Sequence, residues 1–320
     1  MPLLSESTYR PPRFFSNSHV QTIFPSLFRK VSGVQYRRER IDTPDGDFLD
    51  VDFSVTGSSR VAVLLHGLEG DSHRHYMMGM AKALNRAGWD AAAMNFRCCS
   101  GECNRTLRFY HSGDTEDLRT VLSYIDSSHR YDEIGLVGFS LGGNVILKYL
   151  GESGEQSHPL VRKAAVFSVP CDLAACSLNM ELPSNRIYLK RFLRMLGDKV
   201  RMKMRVMPDK IDDSALRNIK TFKEYDDRYT APIHGFADAF DYWTKSSSRQ
   251  FLSSISIPTL LVNAADDPFL PDECYPREEA ANSAKLQLEI PSHGGHVGFV
   301  AFNDGGQYWS ETRAVNFLST

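Results

Sequence analysis

Short apolar runs alternate with amphipathic segments along most of the chain. Runs of β-branched and small apolar residues predict buried strands, and they are RVAVLLHG (60–67), WDAAAMNF (89–96), EIGLVGF (133–139) and KAAVFSVP (163–170). Apolar residues at helical spacing predict helices between them, in HYMMGMAKALNRAG (75–88) and GDTEDLRTVLSYIDSS (113–128). Strands that alternate with helices predict the α/β class, with a mostly parallel sheet and helices on both faces.

Strand and helix signals continue on both sides of this central region. The segment QYRRERIDTPDGDFLDVDFSV (35–55) predicts two strands around the turn Pro44-Asp45-Gly46. Towards the end of the chain, strand character returns in IPTLLVNAADDPFLP (257–271) and KLQLEIPSHGGHVGF (285–299). A closing helix is predicted in GQYWSETRAVNFL (306–318).

The alternation breaks between about residues 171 and 250. This part of the chain includes a basic helical stretch, NRIYLKRFLRMLGDKVRMKMRVMPDKI (185–211). Helices inserted between sheet strands predict a cap over the carboxyl ends of the strands, where open α/β sheets place their sites. We therefore predict one domain over residues 1–320 with a helical cap at about 171–250. Peripheral helices with no role in access are the alternative.

One serine lies between glycines at a predicted strand-to-helix turn. In LVGFSLGGNV (136–145), Ser140 follows the strand EIGLVGF and precedes the helical segment NVILKYLG. A turn this tight forces the serine into an unfavourable conformation and needs neighbours without a Cβ, which Gly138 and Gly142 supply. The pattern Gly-x-Ser-x-Gly in this context predicts a nucleophile elbow that exposes the serine hydroxyl above the sheet.

A serine nucleophile needs a base, and the base needs an acid that orients it. Asp266 and Asp267 follow one predicted strand, and His293 and His296 follow the next. Their order after the serine is the order found in α/β-hydrolases. All four remain candidates on this ground. The proline after Asp267 restricts the backbone before it, and two glycines before His296 give its loop freedom to fold back, which favours this second pair.

The segment VAVLLHGLEG (61–70) predicts the other half of such a site. Its strand is expected to lie beside the serine strand, so that the backbone N–H groups of Leu68 and Leu141 would form an oxyanion hole. His66 is interpreted as a structural hydrogen-bonding residue. His66 with His73 and His75 could suggest a metal site, but no set of carboxylate ligands accompanies them, so we predict no metal.

Composition narrows the range of functions. The chain has 320 residues, of which 42% are hydrophobic and 24% charged, as is usual for a globular enzyme. Its net charge of −2 predicts neither nucleic acid nor an anionic membrane as the main partner. No signal-peptide pattern or apolar stretch of about 18 residues occurs, which favours a cytoplasmic protein. The six cysteines lack disulfide or zinc spacing and are expected to be free thiols.

Several motifs in order resemble the YheT-like branch of the α/β-hydrolases, which includes mammalian ABHD-type proteins. The motifs are SNSHVQTIFPSL, HGLEGDSHRHY, CSGECNR, YHSGDTEDL, GFSLGGNVILKYLGE, DDRYTAPIHGFADAFDYW, ADDPFLP and GGHVGF. The resemblance implies carboxylic-ester hydrolysis, on acylglycerols or phospholipids in some relatives, with Ser140, Asp267 and His296 as the triad and no cofactor. Cys98 stands where the family usually has glycine, so contacts near Tyr110 and His111 are expected to differ.

These observations predict a serine esterase that works through an acyl-enzyme intermediate on a small, possibly lipid-like ester. Apolar side chains of the cap, with Phe240 and Trp243 among them, are expected to line the acyl pocket. An acyltransferase using the same triad and a non-catalytic binding protein on the same fold are the alternatives.

Overall fold

The structure is a computed structural model that describes residues 3, 4, 6–303 and 305–320. Within these residues nine strands form one sheet, and they are β1 (Leu3–Leu4), β2 (Arg37–Asp42), β3 (Phe48–Ser54), β4 (Arg60–Leu65), β5 (Asp90–Asn95), β6 (Glu133–Phe139), β7 (Val161–Phe167), β8 (Thr259–Val262) and β9 (Leu286–Glu289). Their order across the sheet is β1-β9-β8-β7-β6-β4-β5-β3-β2. β3 alone runs in the direction opposite to the other strands, so the carboxyl ends of β1, β9, β8, β7, β6, β4 and β5 meet at one edge.

Helices cover both faces of this sheet. They are α1 (Ser18–Phe28), α2 (His75–Arg86), α3 (Glu116–Ser127), α4 (Leu141–Ser153), α5 (Leu173–Asn179), α6 (Arg186–Val206), α7 (Phe222–Tyr225), α8 (Ala231–His234), α9 (Ala239–Ser246), α10 (Arg277–Ala281) and α11 (Trp309–Ser319). Short 3₁₀ turns occur at Gly154–Gln156, Pro183–Asn185, Arg249–Ser254 and Asp272–Cys274, and a π-helical turn at Asp226–Thr230. None of the helices in the described ranges is both long and apolar enough to cross a bilayer.

The buried strand β4 shows why both faces must be covered. Val61, Val63 and Leu65 point into one apolar cluster, together with side chains of α3 and α4. Ala62 and Leu64 point into a second cluster, which contains side chains of α2 and α11. Because alternate residues of a strand face opposite sides, an apolar run with no polar positions produces a core on each side of the sheet.

The predicted fold class and the predicted strands of the sheet are confirmed. Two elements near the N-terminus are not among those predicted, namely β1 and α1. The strand has only two residues. The helix has apolar residues at helical spacing, but it contains a proline and buries only Gln21 and Pro25, so its apolar side chains do not pack on the core of the sheet.

The chain between β7 and β8 contains the helices α5 to α9, and two buried lysines anchor the longest of them, α6. Lys199 Nζ lies 3.0 Å from Glu69 Oε1 and 2.7 Å from Cys99 Sγ. Burial raises the pKa of Cys99 to about 12, so this sulfur is a neutral thiol at neutral pH and Glu69 supplies the opposing charge. One turn further, Lys203 Nζ donates to two backbone carbonyls of the loop after Cys99.

Removal of the Lys199 ammonium should destabilise the protein strongly. In Lys199→Met the Glu69 carboxylate stays buried without its cation, so we expect the free energy of unfolding to fall by about 3–5 kcal/mol, measured by urea denaturation. Lys190 is an exposed residue of the same helix. Lys190→Met should change the free energy of unfolding by less than about 0.5 kcal/mol. Equal losses in the two variants would contradict a stabilising role for the ion pair.

Candidate active site

Ser140 forms the turn between β6 and α4 in a left-handed conformation that non-glycine residues rarely adopt, with φ +52° and ψ −120°. The flanking residues must be glycines because backbone atoms of other residues lie too close to leave room for a Cβ. A Cβ on Gly138 would lie 2.7 Å from the Cα of Gly143, and one on Gly142 would lie 2.5 Å from the carbonyl oxygen of Leu65, the last residue of β4. The turn is therefore strained because the first turn of α4 packs closely against both β6 and β4.

Three of the predicted side chains meet at this turn. His296 Nε2 lies 2.9 Å from Ser140 Oγ, and His296 Nδ1 lies 2.9 Å from Asp267 Oδ2. Asp267 follows β8 and His296 follows β9, so the three groups lie at the carboxyl edge of neighbouring parallel strands. The carboxylate of Asp267 also accepts the Phe269 N–H at 2.9 Å, and the Phe269 ring lies 4.1 Å from the imidazole.

The other candidate acid and base form a pair of their own. His293 Nδ1 lies 3.2 Å from Asp266 Oδ2, and Asp266 Oδ1 accepts the Gly295 N–H at 2.9 Å. In the described part of the chain, neither side chain forms a hydrogen bond with Ser140. Asp266 and His293 therefore hold the loop that carries His296.

Helix α1 holds this loop from the opposite side. The backbone N–H of His296 donates to Thr22 Oγ1 at 2.9 Å, and a Cβ on Gly295 would lie 2.5 Å from the carbonyl oxygen of Ser18. Sequence reasoning missed Thr22, because a single threonine in a helix carries no pattern that links it to a loop 274 residues away.

The loop 66–70 after β4, called the β4 loop below, is held at both ends by tyrosines. Gly67 N–H donates to Tyr76 Oη at 3.1 Å, and Glu69 N–H donates to Tyr110 Oη at 2.9 Å. Between these amides, the Leu68 N–H has no hydrogen-bond partner among the described residues, and the same holds for Leu141 N–H at the start of α4. Both leucines line the cavity at Ser140.

His66 and Glu69 fix the rest of the β4 loop. Burial lowers the pKa of His66 to about 3; the neutral ring accepts the Phe96 N–H at Nε2 and donates from Nδ1 to the Gly67 carbonyl at 2.7 Å. Its hydrogen-bonding role matches the interpretation from sequence. Glu69 has φ +56°, and its carboxylate accepts the Tyr110 hydroxyl at 2.7 Å as well as the ion pair with Lys199.

Cys98 itself adopts the left-handed conformation, with φ +61°. Its backbone N–H donates to Asn104 Oδ1 at 2.6 Å, which holds this turn in place. A conformation suited to glycine is therefore retained in spite of the Cβ, and Tyr110 keeps its contact with the β4 loop.

A cavity of about 130 Å³, called the apolar cavity below, extends from Ser140 beneath α5 to α9. Its apolar lining includes Leu173, Met180, Phe192, Leu196, Phe222 and Trp243. Phe240 does not line this cavity, contrary to the expectation from sequence: its side chain is 46% exposed. The interior position is filled by the buried Trp243, and the Phe240 ring lies edge-on to it at 5.3 Å.

Burial shifts the pKa values of titratable groups in this cavity towards their uncharged forms. Asp226 Oδ2 accepts the Trp243 Nε1–H at 2.8 Å, and burial raises the pKa of Asp226 to about 7. Burial lowers the pKa of His111 to about 3 and that of His234 to about 2. With the Lys199 charge balanced by Glu69, the cavity suits an uncharged apolar group.

A second, more open cavity of about 460 Å³ reaches Ser140 and His296 from the surface. It forms a groove between α1 and the first turns of α6. A contact of 2.9 Å between His19 Nδ1 and Tyr188 Oη joins the two helices. Ile23 and Leu27 lie on one wall and Ile187 on the other. The serine is therefore reached from two sides.

Within residues 3, 4, 6–303 and 305–320, no group of three or more His, Cys, Asp or Glu side chains is placed to hold a metal ion. His75 is half-buried at the first turn of α2.

Comparison with known proteins places this arrangement in a family. Residues 61–301 match the family model for the alpha/beta hydrolase fold. YheT of Escherichia coli (strain K12), provisionally named an esterase, is 36% identical over 99% of this chain and 94% of its own length. Phospholipase ABHD3 of Mus musculus is 33% identical over 93% of this chain and 74% of its own length.

Solved structures share the fold. The Pyrococcus furiosus esterase Pf2001 has a TM-score of 0.60 at 17% identity, over 97% of this chain and 98% of that one. The esterase EaEST from Exiguobacterium antarcticum has a TM-score of 0.56 at 16% identity, over 88% of this chain and all of that one. On the family model and the full-length similarity to YheT, the chain belongs to the YheT-like branch of the α/β-hydrolases and is an esterase-like hydrolase.

Proposed function

We propose that the protein is a serine hydrolase that cleaves carboxylic esters through an acyl-enzyme intermediate. Ser140 Oγ attacks the ester carbonyl while His296 Nε2 takes its proton, and the N–H groups of Leu68 and Leu141 bind the oxygen that becomes negative. The protonated imidazole gives its proton to the departing alcohol. Water then attacks the acyl-enzyme with His296 again as base, which releases the acid and restores Ser140.

The observation that carries this proposal is the continuous hydrogen-bonded chain from Asp267 through His296 to Ser140. Asp267 orients the ring so that Nδ1 carries its proton towards the carboxylate and Nε2 is free to accept the proton of the serine. The two amides without partners lie at the same cavity, where an oxyanion would be held without rearrangement of the protein.

We propose further that residues at about 171–250 act as a cap and that the apolar cavity binds the acyl group. Its apolar walls favour a hydrocarbon chain, whereas the open groove favours the alcohol portion. The name phospholipase carried by ABHD3 supports a lipid-like ester as substrate. The proposed steps use side chains and water, and no cofactor is needed for them.

Ser140→Ala should remove the nucleophile and lower kcat on p-nitrophenyl butyrate by about 10⁴-fold or more. The variant should also lose labelling by a fluorophosphonate probe, read on a gel. Ser177 lines the same cavity, and Ser177→Ala should keep both activity and label. Labelling of Ser140→Ala would show that another residue is the nucleophile.

Asp267→Asn should lower kcat by about 10⁴-fold, because an amide favours the wrong tautomer of the histidine. His296→Ala should abolish acylation for lack of a base. The matched variants Asp266→Asn and His293→Ala alter the neighbouring pair and should each retain at least about a tenth of kcat, since neither group takes part in proton transfer. The assignment fails if the second pair of variants is as inactive as the first.

Leu196→Trp should narrow the apolar cavity and shift the enzyme towards short esters. We expect the ratio of kcat/KM for p-nitrophenyl butyrate to that for p-nitrophenyl decanoate to rise at least about tenfold, since steric exclusion of part of the chain removes its binding energy. Val206→Trp places the same bulk at an exposed position of α6 and should leave the ratio unchanged. An unchanged ratio in Leu196→Trp would place the acyl chain elsewhere.

A further inference from the structure

Exposed apolar side chains are concentrated around the mouth of the open groove. Of the twelve large hydrophobic side chains that are exposed among the described residues, seven belong to the segment 14–28, the start of α6 and a neighbouring loop, and they are Phe14, Val20, Ile23, Leu27, Phe28, Ile187 and Phe302. Leu27 is 62% exposed and Ile187 is 77% exposed, on opposite walls of the groove. Large apolar side chains gathered at one place on a surface mark an interaction site.

Phe28 and Phe302 belong to a cluster of aromatic rings at this place. The rings of Phe15 and Phe24 lie 4.9 Å apart, and each contacts the ring of Phe302, at 5.2 and 6.2 Å. Phe24 also contacts Phe28 at 5.1 Å. The bridge between His19 and Tyr188 joins this aromatic surface to the start of α6.

The same surface is basic. Residues 7–38 and 182–197 contain no aspartate or glutamate. Within them seven exposed cations form no ion pair with any described residue, and they are Arg10, Arg13, Lys30, Arg186, Lys190, Arg191 and Arg194. The chain as a whole has a net charge of −2, so its positive charge is unevenly distributed and is concentrated in the segments that carry most of these exposed apolar residues.

We infer that the groove mouth, formed by α1 with the preceding segment and by the start of α6, docks on the surface of an anionic lipid bilayer. Apolar side chains enter the boundary between headgroups and acyl chains while arginine and lysine contact anionic headgroups, a combination found in helices that lie on membranes. A nucleic acid would use the cations but leave the apolar residues exposed to water.

Docking in this orientation would direct the groove towards the bilayer. The floor of the groove contains Ser140 and His296, so a lipid ester could pass from the bilayer to the serine between Leu27 and Ile187. This last step rests on the proposed esterase function, whereas docking itself does not require turnover. Vesicle binding and hydrolysis of a water-soluble ester therefore test the two proposals separately.

The test is co-sedimentation of the full chain with vesicles of phosphatidylcholine containing about 30% phosphatidylglycerol, and with vesicles of phosphatidylcholine alone. We expect the partition coefficient to be at least about tenfold higher on the anionic vesicles and to fall when NaCl is raised from about 0.05 to about 0.5 M, because salt screens the attraction. Equal or undetectable binding to both kinds of vesicle would overturn the inference.

Two double variants separate the charged and apolar contributions. Lys190→Glu with Arg194→Glu, and Phe14→Ser with Phe28→Ser, should each lower partition to anionic vesicles at least about tenfold. None of these four residues lines the groove, so hydrolysis of p-nitrophenyl butyrate without vesicles should stay at the wild-type rate. If the wild-type protein does not hydrolyse p-nitrophenyl butyrate, the esterase proposal is refuted and the docking proposal is unaffected.

The matched control reverses two charges at the opposite edge of the sheet. Arg162 and Lys285 are exposed at the amino ends of β7 and β9. Arg162→Glu with Lys285→Glu should leave vesicle binding unchanged. If vesicle binding falls as much in this control as in Lys190→Glu with Arg194→Glu, only the net charge of the protein matters and the inference is overturned. Sedimentation velocity tests whether a second copy of the chain occupies the surface instead. If the wild-type protein is a dimer that does not bind vesicles, and the double variant Phe14→Ser with Phe28→Ser is a monomer, the surface belongs to a second copy of the chain.

Discussion

The first turn of α4 lies in backbone contact with the end of β4, and the geometry of the whole site depends on this contact. A methyl group at Gly142 would meet the Leu65 carbonyl at 2.5 Å, so the approach is possible only for glycine. It holds Ser140 in its left-handed conformation and brings the amide of Leu141 next to the β4 loop. Strain at one residue persists because the helix and two strands around it leave no other path for the chain.

The loops at the edge of the sheet are held by groups that come from elsewhere in the chain. Thr22 of α1 accepts the amide of His296, and Tyr76 and Tyr110 accept amides on either side of Leu68. Each of these acceptors is a hydroxyl oxygen, and it satisfies a backbone N–H group that would otherwise lack a hydrogen-bond partner. A rigid sheet sets the positions of the loops, and side-chain hydroxyls set their conformations.

The sequence predicts what depends on local pattern. Buried parallel strands are nearly continuous apolar runs, and a serine between two glycines at the end of such a run is typical of a tight strand-to-helix turn, so the sheet and the position of Ser140 follow from the sequence. Whether a helical side chain faces a cavity depends on packing that periodicity does not encode, which is why Trp243 is interior and Phe240 is not. Whole-chain charge hides local asymmetry in the same way. A net charge of −2 predicts no anionic membrane as partner, yet residues 7–38 and 182–197 contain no acid and carry exposed cations that form no ion pair with a described residue.

The two cavities that meet at Ser140 have a kinetic consequence. In the proposed mechanism the acyl chain stays in the apolar cavity after the first step, whereas the alcohol lies in the groove and can leave without passing the acyl chain. The water needed for the second step then enters through the groove that the alcohol has left. Release is thereby ordered, with the alcohol before the acid, and a longer fatty acid leaves more slowly because it loses more apolar contact with the cavity walls.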